Sequence, residues 1–131
     1  KQSDKQPFSH LVSISLENLD NLFKTDNLEL KSNHLTLPLT ARRMNVLDVD
    51  IYEHNEAFAV ASCAIAKEVG IPHDRLNLHG GAVSLGHPLG SSGTRCLITM
   101  LGVMRRTEAK SGIVTLCLGG GNAVAMLVSI D

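Results

Sequence analysis

A chain of 131 residues, 44% apolar and 19% charged, is long enough for one domain with its own core and has an ordinary globular composition. A net charge of −1, no Trp and a single Tyr exclude the basic, base-stacking surface of a nucleic-acid binder and give no attraction to an anionic membrane. No apolar run reaches the roughly 18 residues a membrane-crossing helix needs.

The first seven residues are polar and read as a frayed start. His10 to Leu16 (HLVSISL) reads as a strand. Residues 17–36 mix charged and amide side chains with scattered leucines, a surface excursion with a short amphipathic helix near 17–24. Pro38 opens a short helix over 38–44, because proline suits a first helical position. A strand is expected within Val46–Tyr52. Asn55 is an N-cap candidate for a helix over 56–69 that is apolar on nearly every face (Ala57, Phe58, Val60, Cys63, Ile65) and ends at Gly70 and Pro72. Leu76–Leu78 reads as a short strand. Ser91 or Ser92 caps a further helix with Leu97, Ile98, Leu101 and Met104 on one face and basic residues at its C-terminal end. Gly112–Leu118 and Ala123–Ile130 are apolar runs joined by a glycine turn, which predicts a hairpin. The fold class is therefore α/β: a mixed sheet covered by helices and ending in a β-hairpin. The all-round apolar helix predicts a further covering layer from another domain or subunit.

Two glycine-rich loops hold the chemistry. HGGAVSLGHPLGSSGTR, residues 79–95, carries five of the eleven glycines, with His87 fixed between Gly86 and Pro88. CLGGGNA, residues 117–123, places Cys117 at the mouth of a glycine turn. On its own, the GHP tripeptide fits a loop histidine that bonds the backbone, and Cys117 fits a buried strand-end thiol. Neither loop has a phosphate-cradling pattern. Cys63, Cys96 and Cys117 are an odd set with no CxxC, which favours a reduced compartment over a disulfide scaffold. Cys63 and Cys96 lie among apolar neighbours and read as core. The other histidines form no ligand-like grouping, so no metal site is expected.

NEAFA at 55–59, NLHGGAVSLGHPLGSSGTR at 77–95 and CLGGGNA at 117–123 resemble, in order and spacing, the three C-terminal signature blocks of the thiolase family. The close similarity covers roughly 37–131, expected as a portion of the thiolase C-terminal domain; 1–36 matches weakly, through one strand and an insertion. The resemblance implies a layered thiolase-like half-domain packed against a sister half. It also implies reversible thiolytic cleavage and Claisen condensation of acyl-CoA, with coenzyme A thioesters as substrates and no separate cofactor. GGAVSLGHP and Ala123 lean toward the short-chain, acetoacetyl-CoA-cleaving type.

By the same resemblance, His87 is the base that activates a nucleophilic cysteine and a donor to the thioester oxygen of the second substrate. Imidazole suits such work because it titrates near neutrality. Cys117 moves the proton at the α-carbon of acetyl-CoA. Gly119 gives its N–H to the acyl-enzyme oxyanion. Asn55 holds a water that completes, with His87, the other oxyanion site, a role compatible with capping. Glu56 reads as structural, in a first helical turn. No residue here matches the family's nucleophile, which lies in the N-terminal domain. The chain does not begin with Met, and the expectation is a fragment whose partners are that N-terminal domain and copies of itself in a dimer or tetramer. The expected compartment is cytoplasmic, or alternatively the mitochondrial matrix. The competing reading is a truncated, non-catalytic thiolase-like protein that binds or stabilises a partner; an acyl-CoA-binding module is the third.

Overall fold

A computed structural model describes residues 10–13, 44–119 and 123–129. Its strands are β1 (His10–Ser13), β2 (Ile51–His54), β3 (Ser111–Cys117) and β4 (Ala123–Ser129). Its helices are α1 (Ala59–Val69), the four-residue α2 (Ala82–Leu85) and α3 (Ser92–Thr107). The strands form one sheet in the order β1-β4-β3-β2; β2 runs parallel to β3, and the other pairs are antiparallel. A parallel pair needs a long crossover, and here the crossover carries α1, the His87 loop and α3.

Side chains alternate across a strand, and the two faces of the sheet are covered differently. Ile51, Val114 and Val128 face α3 and pack with Cys96, Met100, Val103 and Met104. Tyr52, Ile113 and Leu127 face the other way, with Val49, Ile65 and Ile71. Gly112 lets α3 lie close on the sheet: a Cβ there would sit 2.5 Å from Met100 Sδ. Asp50 ties the start of β2 to the start of β3 by accepting from the N–H groups of Lys110 and Ser111 and from the Ser111 hydroxyl. Burial alone would raise its carboxyl, but these bonds and the Arg75 charge outweigh it and hold Asp50 below the ordinary value.

The hairpin matches expectation, with Cys117 opposite Ala123. Other elements differ. The strand sought within 46–52 is a 3-10 turn, Val46–Asp48, followed by β2. Leu76–Leu78 is not a strand. It makes a single bridge, Leu76 with Tyr52, because Asn77 turns into the left-handed region (φ 51°) and its side-chain oxygen takes the His54 N–H. The long helix begins at Ala59 rather than 56. Glu56 is left-handed (φ 57°), outside any helical turn, and Phe58 occupies the cap position, so Asn55 is no N-cap. On α3 the buried face is Cys96, Met100, Val103 and Met104, with Leu97 and Leu101 at its margin; Ile98 is 64% exposed. Cys63, expected in the core, is exposed. The helix expected near 17–24 lies outside the described residues, as does the one expected over 38–44 apart from Met44, which is not helical.

Candidate active site

Asn55 is the residue that the fold grips hardest. It follows β2 directly and is fully buried. Its N–H bonds the carbonyl of Thr115 on β3 at 2.9 Å, and its own carbonyl takes the N–H of Ala82 at 2.8 Å. From α3, Arg95 Nη2 reaches both the main-chain oxygen (3.2 Å) and the side-chain Oδ1 (2.8 Å) of Asn55. The Cys96 thiol adds a longer contact to Oδ1, at 3.5 Å. The Nδ2 end of the carboxamide then faces His87, 3.4 Å from Nε2 and 3.5 Å from Nδ1.

His87 leaves the short α2 through Gly86, whose φ of 92° is a conformation that side chains resist. Pro88 restrains its other side. Ser92, at the start of α3, holds the ring: its Oγ lies 2.6 Å from Nδ1 and 3.2 Å from the Pro88 carbonyl. The imidazole is therefore exposed to solvent on a defended mount, with a buried amide on one side and a buried hydroxyl on the other.

Cys117 ends β3, two positions past the Thr115 that bonds Asn55, so both residues stand at the same end of the parallel pair. The Cys117 thiol and Gly119 are exposed, and no hydrogen bond among the described residues joins either to His87 or Asn55. The strand-end thiol is thus not a core group. Gly120–Asn122 lie outside the described residues. Beside these residues an open groove of about 280 Å³ runs between Leu97 of α3 and Leu116 and Val124 of the hairpin.

All four residues of β2 are buried, and one of them carries a carboxyl inward. Glu53 is fully buried, and neither of its oxygens has a hydrogen-bond partner among the described residues. Burial raises it, the Arg95 charge pulls it partly back and Glu56 pushes it up again, leaving it at about 8. Cys96 is raised to about 11, chiefly by burial, and is an inert core thiol. On the opposite face His54 binds Ser62 of α1 at 2.6 Å, which fastens that helix to β2. Among the described residues no cluster of His, Cys, Asp and Glu could hold a metal ion, and no helix is long and apolar enough to cross a membrane.

Of the residues singled out from sequence, His87 and Asn55 meet; Cys117 and Gly119 stand at the same end of the sheet, with no hydrogen bond to either among the described residues. Arg95 and Glu53 were not singled out, and Ser92 only as an alternative helix cap, a position that Ser91 takes. Glu53 had a signal, since Ile51, Glu53 and Asn55 alternate onto one face. Arg95 had none: its partner lies 40 positions away in the chain.

The family model of the thiolase C-terminal domain matches residues 33–130. Over 81 residues the chain is 52% identical to the cytosolic acetyl-CoA acetyltransferase of Rattus norvegicus, covering 62% of this chain and 20% of that protein. It is 49% identical over 96 residues to acetyl-CoA acetyltransferase 1 of Arabidopsis thaliana, covering 72% and 23%. It is 52% identical over 83 residues to the acetyl-CoA acetyltransferase of Chromobacterium violaceum, covering 63% and 21%. The chain spans about a fifth of the length of these relatives. It belongs to the thiolase family, and the part of the family that it carries is the C-terminal domain.

Proposed function

We propose that this chain supplies one side of an acyl-CoA thiolase active site, acting in the reversible cleavage of acetoacetyl-CoA by coenzyme A and its reverse, the condensation of two acetyl-CoA. The observation that carries the reading is the mounted pair of His87 and Asn55: an exposed imidazole braced by buried Ser92 and faced by a buried carboxamide. An imidazole held this way can take a thiol proton and return it. In condensation, a cysteine from a sister domain loses its proton to His87 and attacks the acetyl thioester, releasing coenzyme A as thiol. Cys117 then takes a proton from the methyl carbon of a second acetyl-CoA, and the enolate carbon attacks the acyl-cysteine. The new carbon–carbon bond forms as the cysteine leaves. Gly119 N–H serves the acyl-enzyme oxyanion, and Asn55 with His87 serves the enolate oxygen.

The sister domain and further copies of the chain are the proposed partners, with no nucleic acid and no membrane. The relatives named cytosolic make the cytoplasm the proposed compartment. The test is thiolysis of acetoacetyl-CoA by the full protein. His87→Ala should lower kcat by about 10²–10⁴-fold, the usual worth of a positioned acid–base group. Activity near that of the unaltered protein in this variant would overturn the assignment.

One observation favours a second reading, a non-catalytic thiolase-like binding partner. The outer face of α1 and the residue before it are bare: Phe58 is 71% and Val60 74% exposed. This reading predicts tight association through that face and no turnover in the assembled complex.

A further inference from the structure

We propose that Arg95 is a positioning residue whose task is to choose which end of the Asn55 carboxamide faces His87. The inference rests on the thiolase reading only for its kinetic consequence; the geometry stands apart from it. A guanidinium has donors and no acceptor. The atom 2.8 Å from Arg95 Nη2 is therefore the amide oxygen, and the Cys96 thiol, at 3.5 Å from the same atom, is a second donor to it. With the oxygen held toward α3, the NH2 group is the end left for His87.

Arg95 is committed to this task. Its side-chain hydrogen bonds among the described residues go to Asn55 alone, through one nitrogen that also reaches the Asn55 main-chain oxygen. Its Nε and Nη1 are buried without partners. The nearby Glu53 carboxyl is also unpartnered and is not hydrogen-bonded to Arg95. The guanidinium and this carboxyl make no hydrogen bond to each other, while the guanidinium bonds an amide.

The consequence is one of sign. A group that faces a developing enolate oxygen must present hydrogen, directly or through a water whose oxygen it holds. A carboxamide turned end for end would present its oxygen and repel the same charge. Asn55 alone has no preference between the two, because its ends are nearly equal in shape. Arg95 supplies the preference, 40 residues along the chain.

The test compares Arg95→Met with Arg95→Lys in the full protein. The first readout is independent of activity: nuclear Overhauser contacts between the Asn55 NH2 protons and the His87 ring protons. They are expected in the unaltered protein and in Arg95→Lys, which remains a pure donor, and are expected to vanish in Arg95→Met. The second readout is kinetic. Arg95→Met should lower kcat by about 10²-fold, the worth of one oxyanion donor, with KM kept within about threefold. Arg95→Lys should recover most of the loss. If Arg95→Met does not fold, Arg95→Gln, which can turn an acceptor toward Asn55, carries the same readouts. Absence of the contacts in the unaltered protein overturns the proposal, as does their survival in Arg95→Met with kcat unchanged. An unaltered protein with the contacts but without thiolysis would overturn the function and leave the Arg95 assignment standing.

Discussion

Glu53 is the residue at which the charge balance of the interior is most exposed to pH. Its folded-state value of about 8 lies above the ordinary 4.5, so the folded chain binds this proton more tightly than the unfolded chain does. The stabilisation is complete below 4.5 and is lost as pH rises through about 8. Glu53→Gln removes the titrating group while keeping its volume. Denaturant unfolding across that range should show a falling stability for the unaltered protein and a flatter curve for the variant, the difference in slope reaching about 1.4 kcal/mol per pH unit. Equal slopes would mean that Glu53 is ionised throughout. At this scale the sequence was readable where chemistry and local chain geometry coincide. His87 lies between a glycine and a proline, and Asn55 opens a distinctive block. Arg95 and Ser92 were hidden because their roles depend on groups brought near by folding, and an arginine early in a helix has no local mark of being half-buried against an amide.

At the scale of elements, the long helix shows how a burial pattern can be right about type and wrong about boundary. The apolar run begins at Ala57, which suggested a helix from 56 capped by Asn55. The Asn55 side chain is instead spent on Arg95, Cys96 and His87, and Glu56 turns left-handed before the helix starts. The strand expected at Leu76–Leu78 failed for a related reason: Asn77 serves β2 with a side-chain oxygen where a strand would have used its backbone. The contact of α3 with the sheet was also unreadable, because a glycine inside a strand reads as a weakness rather than as a seat. Gly112→Ala drives a methyl into Met100 and should cost about 1–3 kcal/mol of stability. The expected signature is a lower denaturant midpoint with an unchanged slope. Shortening Met100 in the same chain should recover part of the loss, because the two sites touch.

At the scale of the whole molecule, among the described residues one face of the sheet is closed by α3 and the other only partly by α1. Helix α1 is apolar on nearly every face, and Val60 and Cys63 on it, with Phe58 just before it, are exposed. Val60→Glu should therefore leave the stability of the chain within about 0.5 kcal/mol, as for an exposed site. In the proposed assembly the same change should abolish association with the sister domain, readable by analytical ultracentrifugation. Retained association would place the sister domain on another face.

The parallel pairing of β2 with β3 also has a kinetic meaning. Asp50 and Ser111, which bond just ahead of the pair, are 61 positions apart, whereas Cys117 and Ala123 of the hairpin are close in sequence by comparison. Contacts that close long loops pay their entropy before they are rewarded, so they tend to form after local ones. Ile51→Val, on the late strand, should chiefly speed unfolding, with a φ-value near zero; Leu127→Ala, on the hairpin, should slow refolding. Chevron plots of the two variants separate these outcomes, and equal φ-values would remove the ordering. In the ordering expected, the chain can hold a formed hairpin while Asn55 is still detached from Thr115. The two glycine loops then exist without a site between them, and the appearance of the Asn55–His87 contact marks the last step of folding.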